Sequence, residues 1–250
     1  MDPEAANDLL LYVNDQIVEF VAEAKGRLVG LGALPLQDMD LALKELRRLK
    51  TLGFSGVEIG SNINGEPLGS PRFDSFFEAV EELDLAIFVH AVRPTGMDRV
   101  LGPKPLQQVL GYPTDVGLAA ASLVCANLPV RFPRLRIALS HGGGTFASLL
   151  PRFAEGYRVF PAVRESLTLR PEEQARRFFY GTLVFDSRAL AHLVRLFGES
   201  QLMIGTDYPF AFHEKQPVAL IFDTFADEQL CNKLVYENAR RFLKIGAMRA

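Results

Sequence analysis

The sequence predicts an α/β protein built on a parallel sheet, and three observations point there. Short apolar runs alternate with helix-patterned stretches, ending near residues 34, 59, 90, 141, 183 and 207, as successive βα units do. Several of these runs stop at a side chain capable of binding metal or moving a proton: Ala86–His90, Arg136–His141 and Leu202–Asp207. Parallel α/β enzymes place their working residues at such strand ends. No compositional break or internal repeat divides the chain, so residues 1–250 are read as one domain.

Each element has its own justification. Asp2 can cap a helix with Pro3 in its first turn, and Leu9, Leu10, Val13, Ile17, Phe20 and Val21 continue it at helical spacing to about Ala24. Leu28–Leu34, closed by Pro35, reads as a buried strand. Ala42, Leu46 and Leu49 mark the next helix, ending near Gly53. Val57–Ile59 is a short strand entering a loop over 60–67, and Phe73, Phe76, Phe77, Val80 and Leu83 form a helical stripe before the His90 strand. Residues 93–114 are rich in Pro and Gly, a long connection of the kind that usually serves function. Asp115 is a plausible cap for a helix over 116–128, which leads to the His141 strand. A helical pattern follows Gly144, then a charged segment from Arg164 to Arg177, a strand over Phe179–Val184, a helix over Ala189–Phe197 and the last strand over 202–206. Leu230, Leu234, Ala239 and Phe242 make the C-terminal region helical. Six strands suit an open doubly wound sheet; a closed barrel needs eight and would leave two unaccounted for.

Composition narrows the function classes. At 250 residues, 48% hydrophobic, 23% charged and with a net charge of −3, the chain gives no reason to expect nucleic acid or an anionic membrane as partner. Its N-terminus lacks the basic and apolar regions of a targeting signal, and no apolar run is long enough to span a bilayer. Cys125 and Cys231 read as reduced core residues of a cytoplasmic protein, with no cysteine cluster for structural zinc.

The strand-end residues carry the functional signal. His90 is either a ligand or catalytic group or a histidine bonded to a backbone carbonyl. His141 precedes Gly142-Gly143-Gly144, which allows close approach of a ligand and a tight turn. Asp207 stands between Thr206 and Tyr208-Pro209, where it could also merely cap a turn. Together they suit a divalent metal, zinc first. There is no GxSxG elbow, GxGxxG or GxxxxGK motif to support a serine nucleophile or a nucleotide. His192 reads as a packing or surface residue, and His213 as a possible later entrant to the site. Arg93 and Arg99 are candidates for a bidentate grip on a substrate carboxylate, against the plainer reading of solvated arginines. Substrate preference is expected in loops 60–67 and 93–114 and in residues 210–216.

Val29-Gly-Leu-Gly32, Phe88-Val-His90, Phe132-Pro-Arg-Leu-Arg136, Ser140-His-Gly-Gly-Gly144, Gly205-Thr-Asp-Tyr-Pro-Phe210 and Glu237-Asn-Ala-Arg240 occur in this order. In this the chain resembles the amidohydrolase superfamily, in the branch of aminocarboxymuconate-semialdehyde decarboxylase and related aromatic-acid decarboxylases. The resemblance implies a distorted TIM barrel with a metal at the strand ends, held by His90 and Asp207, and His141 as the acid/base group. It implies decarboxylation of a small carboxylated aromatic or muconate-like acid, with hydrolysis as the close alternative. The family's first-strand His-x-His pair has no counterpart, so the first two βα units are expected to be missing, along with the region of the family's substrate-binding arginine. A barrel open there would expose strand edges, which a homodimer could cover. A catalytically silent scaffold is the alternative of a different class.

Overall fold

The computed structural model describes residues 2–94 and 96–246; Met1, Thr95 in the long loop and residues 247–250 lie outside the described residues. The strands are β1 (Leu31–Ala33), β2 (Gly56–Gly60), β3 (Asn62–Ile63), β4 (Glu66–Pro67), β5 (Ala86–His90), β6 (Arg136–Leu139), β7 (Phe179–Gly181) and β8 (Leu202–Met203). The helices are α1 (Pro3–Glu23), α2 (Met39–Thr51), α3 (Asp74–Glu82), α4 (Tyr112–Cys125), α5 (Leu128–Arg131), α6 (Phe146–Val159), α7 (Pro161–Ser166), α8 (Pro171–Ala175), α9 (Ser187–Phe197), α10 (Pro217–Thr224), α11 (Glu228–Asn232) and α12 (Asn238–Leu243). Six strands form one sheet in the order β1-β2-β5-β6-β7-β8, every adjacent pair parallel. β3 and β4 form a separate small antiparallel ribbon. Among the described residues β1 and β8 are not paired, so the sheet does not close into a barrel.

Alternation along the strands gives the sheet two different faces. Val57, Ile59, Ile87, Val89, Ile137, Leu139, Tyr180 and Leu202 belong to the main core, with Leu46, Leu49, Phe76, Phe77, Leu123, Leu150 and Phe197 from the helices. The residues between them face the other way. Ala86, Ala138, Phe179 and Met203 form a smaller cluster with Phe242 of α12, which Phe88 joins. α12 therefore covers part of the inner face, and Arg136, at the start of β6, donates from Nε to the Phe242 carbonyl at 2.6 Å.

Several expectations hold. Asp2 caps α1, its carboxylate accepting from the Ala5 N–H at 3.2 Å, and the six sheet strands are those read from the apolar runs. Others need correction. The first strand is only three residues long, with Leu28 and Val29 exposed before it. The charged segment takes in the end of α7 and all of α8, short helices each opened by a proline. Residues 97–99 and 107–111 of the long loop are helical turns, the second running directly into α4. Asp115 is therefore not a cap: α4 starts at Tyr112, and Asp115 is a buried residue of its first turn. Cys125 is exposed rather than a core residue, because the helix rotates away from the core after Leu123 and Val124; Cys231 is buried, and both are free thiols.

Candidate metal centre

His90, His141 and Asp207 meet at the C-terminal edge of the sheet. His90 is the last residue of β5, His141 follows β6 by two residues, and Asp207 lies in the connection after β8. Parallel pairing puts all these ends on one side, which is how three residues far apart in sequence converge. His141 and Asp207 both adopt the left-handed backbone region, at φ 51° and 59°. For non-glycine residues such geometry costs of order 1–3 kcal/mol and clusters at functional sites. The glycine run makes the His141 turn possible: a Cβ at Gly144 would lie 1.8 Å from the Pro113 carbonyl oxygen.

His141 Nε2 lies 3.3 Å from Asp207 Oδ2, and His90 Nε2 lies 3.8 Å from Asp207 Oδ1. The two imidazole rings are 5.0 Å apart. Ser140 Oγ is 3.1 Å from the other His141 ring nitrogen, Nδ1, so His141 is held from both ends. Potential ligand atoms of the three residues all fall within 4.8 Å of one another. Two imidazoles and a carboxylate at that spacing fit a divalent cation.

The electrostatics favour a cation as well. Burial pushes the Asp207 carboxyl upward, but hydrogen bonds and charge from His141 and His90 outweigh it and hold the group well below the usual carboxylate range. For His90, burial works downward and is outweighed by the Asp207 hydrogen bond and the Glu58 charge, leaving it raised. Glu58 keeps solvent contact from the open side of the sheet, yet burial raises its carboxyl, opposed by His90 and reinforced by Asp207.

A cavity of about 590 Å³ opens over the cluster, lined by all three residues and by Tyr112, Phe185, Phe210 and Phe212. Tyr112 meets His90 edge-on at 6.3 Å, and Phe185 and Phe212 pair at 4.9 Å. The wall thus combines these aromatic rings with aliphatic side chains such as Val109, Leu183 and Val184 around a small polar floor, the usual make-up of a small-molecule site. The other sequence candidates lie elsewhere. Arg93 lines a neighbouring cavity with Ser61, Asn62 and Asp115, and Arg99 lies in a depression beside Met97 and Leu110. His213 turns to the Phe210 carbonyl, 2.5 Å from Nδ1, and packs edge-on to Tyr208. His192 is on α9, outside the cavity.

Sequence reasoning missed Glu58 and Phe185; Tyr112 and Phe212 fall within segments 93–114 and 210–216, expected to set substrate preference, but were not singled out there. A charged residue inside the apolar run Gly56-Val-Glu-Ile-Gly60 was the available signal for Glu58; the aromatics carried none that separates them from core residues.

Comparison with known proteins agrees with this architecture. The amidohydrolase family model matches residues 9–245. A 2-amino-3-carboxymuconate-6-semialdehyde decarboxylase of Dictyostelium discoideum is 37% identical over 222 residues, covering 88% of this chain; the chain spans 61% of that relative's length. A gamma-resorcylate decarboxylase of Rhodococcus jostii is 31% identical, over 83% of this chain and 68% of its own. Among solved structures, 5-carboxyvanillate decarboxylase LigW from Sphingomonas paucimobilis superposes with a TM-score of 0.89 at 28% identity, covering 98% of this chain and 75% of that one. Fold, strand-end histidines and aspartate, and these matches agree: the chain belongs to the amidohydrolase family.

Proposed function

We propose that the protein is a metal-dependent decarboxylase acting on a small carboxylated aromatic or muconate-like acid. The observation that carries this reading is the convergence of His90, His141 and Asp207 beneath a cavity whose wall includes Tyr112, Phe185, Phe210 and Phe212. The similarity to decarboxylases of aminocarboxymuconate semialdehyde, resorcylate and carboxyvanillate supports the substrate class.

His90 and Asp207 would hold the cation, zinc by the imidazole share of the donor set, with manganese as the ion to test beside it. When bound, the cation supplies positive charge that polarises the substrate's oxygen atoms. The chain's own residues do the rest. Tyr112, Phe185, Phe210 and Phe212 hold the substrate's flat face and exclude water. His141 delivers a proton to the carbon bearing the carboxylate. The bond between that carbon and the carboxylate then breaks, its electron pair returning to the substrate as carbon dioxide leaves, and His141 regains a proton from solvent. Ser140, on Nδ1, aims the imidazole for this transfer, and Nε2, which faces Asp207 at 3.3 Å, would carry the proton to the substrate once Asp207 holds the cation.

Elemental mass spectrometry of the purified protein, followed by carbon dioxide release from gamma-resorcylate, 5-carboxyvanillate and aminocarboxymuconate semialdehyde, tests this reading. His141→Ala should abolish turnover with metal retained, and Asp207→Ala should lose the metal. Wild-type turnover in His141→Ala would remove His141 from the acid/base role. Metal loss in that variant would instead make it a ligand, as its 3.3 Å approach to Asp207 allows.

We also infer a homodimer and a cytoplasmic setting. Exposed Leu9, Tyr12, Val13 and Phe20 on α1 beside the short β1 edge support the first, since such surfaces are covered in stable proteins. Two free thiols support the second. A monomer on light-scattering-coupled sizing at micromolar concentration would overturn the dimer.

A further inference from the structure

His90 ends β5 and His141 follows β6, and the first turn of α4 is linked to the backbone beyond each. Asp115 lies in that turn at 4% exposure. Its Oδ2 accepts a hydrogen bond from Asn62 Nδ2 at 2.9 Å and a short one from the Ser61 hydroxyl. Ser61 and Asn62 then grip the backbone just beyond His90. The Val92 N–H donates to Ser61 Oγ at 3.3 Å, and Asn62 Nδ2 donates to the Val92 carbonyl at 3.1 Å. One buried carboxylate thus orients two side chains that hold both polar groups of Val92, two residues past His90.

The same turn presses on the His141 side. The Thr145 N–H donates to the Pro113 carbonyl at 3.0 Å. A Cβ at Gly117 would lie 2.2 Å from Thr145 Oγ1, as one at Gly144 would meet Pro113. The helix and the glycine turn therefore pack at close range, backbone against backbone at Gly144 and against the Thr145 hydroxyl at Gly117. Between the two contacts, Tyr112 sets its ring against His90.

A buried carboxylate needs its full set of hydrogen bonds, and removing one leaves its partners unsatisfied. That requirement does not dictate that the partners be the residues holding the strand end of His90. We propose that Asp115 is a positioning residue which, through Ser61 and Asn62, fixes the His90 loop against the α4 turn that braces His141. It thereby sets the spacing of the two histidines. The inference deepens the proposed metal-dependent reading, but its first readout needs neither metal nor substrate.

With only four histidines in the chain, histidine-labelled protein gives a resolvable imidazole NMR spectrum. His192 and His213 serve as internal controls. The variants are Asp115→Asn, which keeps the side-chain shape, and Ser61→Ala, which leaves Asp115 in place; Ser61→Thr restores the hydroxyl. The expected result is a shift of both His90 and His141 resonances, larger than at His192 and His213, in whichever of the first two variants folds, with return towards wild type in Ser61→Thr. Zinc affinity by calorimetry should fall about 10–100-fold, as for other groups that orient metal ligands. Smaller shifts at His90 or His141 than at the controls would overturn the proposal, as would unchanged zinc affinity in a variant of a zinc-binding wild type. If the wild type takes up no zinc, the metal reading fails, and the histidine shifts alone decide the positioning role.

Discussion

The centre of the sheet and its β1 margin are held by different forces. At the centre, β5 and β6 sit between helices, and Ile87, Val89, Ile137 and Leu139 are buried in the main core. At the margin, β1 has three residues and α1 leaves Leu9, Tyr12 and Phe20 in solvent. One buried amide does much of the work there. Asn14 is fully buried; its Oδ1 accepts from the Ala33 N–H at 2.9 Å and its Nδ2 donates to the Ala33 carbonyl at 3.0 Å. A side chain thus supplies β1 with the pair of hydrogen bonds that a neighbouring strand would give. Asn14 also donates to Glu45 at 2.8 Å, and Glu45 accepts from Arg48 at 2.7 Å. The contrast teaches that apolar burial secures the strands bearing the histidines, whereas the margin depends on a few polar bonds that must all be present.

The largest effect expected is at the centre. Leu139→Ala should lower unfolding free energy by about 2–5 kcal/mol, the range for buried leucines, measured by urea titration. A loss below about 1 kcal/mol would mean the centre is no more tightly packed than the margin. Asn14→Ala should cost somewhat less, about 2–3 kcal/mol, by orphaning both Ala33 groups, while Glu45 Oε1 keeps its bond from Arg48. Its signature should be regional: faster hydrogen exchange at β1 with β5 and β6 unchanged. Accelerated exchange throughout would show that margin and centre unfold as one unit.

The smallest effect concerns acid. Burial works upward on the Asp84 carboxyl but is outweighed by hydrogen bonds from Lys244 and Arg136, so its pKa is lowered on folding. Such a group stabilises the fold above its unfolded pKa of about 4 and loses that contribution as pH falls through the lower folded value. Asp84 is about half exposed, so solvent screening keeps the contribution below about 1 kcal/mol. Asp84→Asn should slightly lower stability at pH 7 and flatten its decline below about pH 4. An unchanged acid limb would remove Asp84 from the account.

The comparison also explains what was legible in the sequence. The central strands announce themselves because burial on their helix-covered face requires apolar residues, and His90, His141 and Asp207 stand out at the ends of such runs. The shortened β1 is harder to foresee, because Leu28 and Val29 are as apolar as a strand requires, and the amide that serves its far end, Asn14 on Ala33, lies 19 positions away. Asp115 reads as a helix cap from local pattern alone, since its true partners lie 53 and 54 residues upstream. Arg93 is visible as a charge near His90, but its left-handed backbone, φ 52°, sends the loop toward the neighbouring cavity. Phe185 and Phe212 come from separate loops and acquire meaning only by facing each other.

The exposed thiol of Cys125 offers an experimental opening. It ends the helix whose first turn braces both histidines, while the other cysteine, Cys231, is sealed in the core. A maleimide dye added to the folded protein should therefore attach at one place, with no engineered cysteine and no change to the cavity. Its emission would report, in real time, whether α4 moves when a metal or an aromatic acid enters at the helix's opposite end.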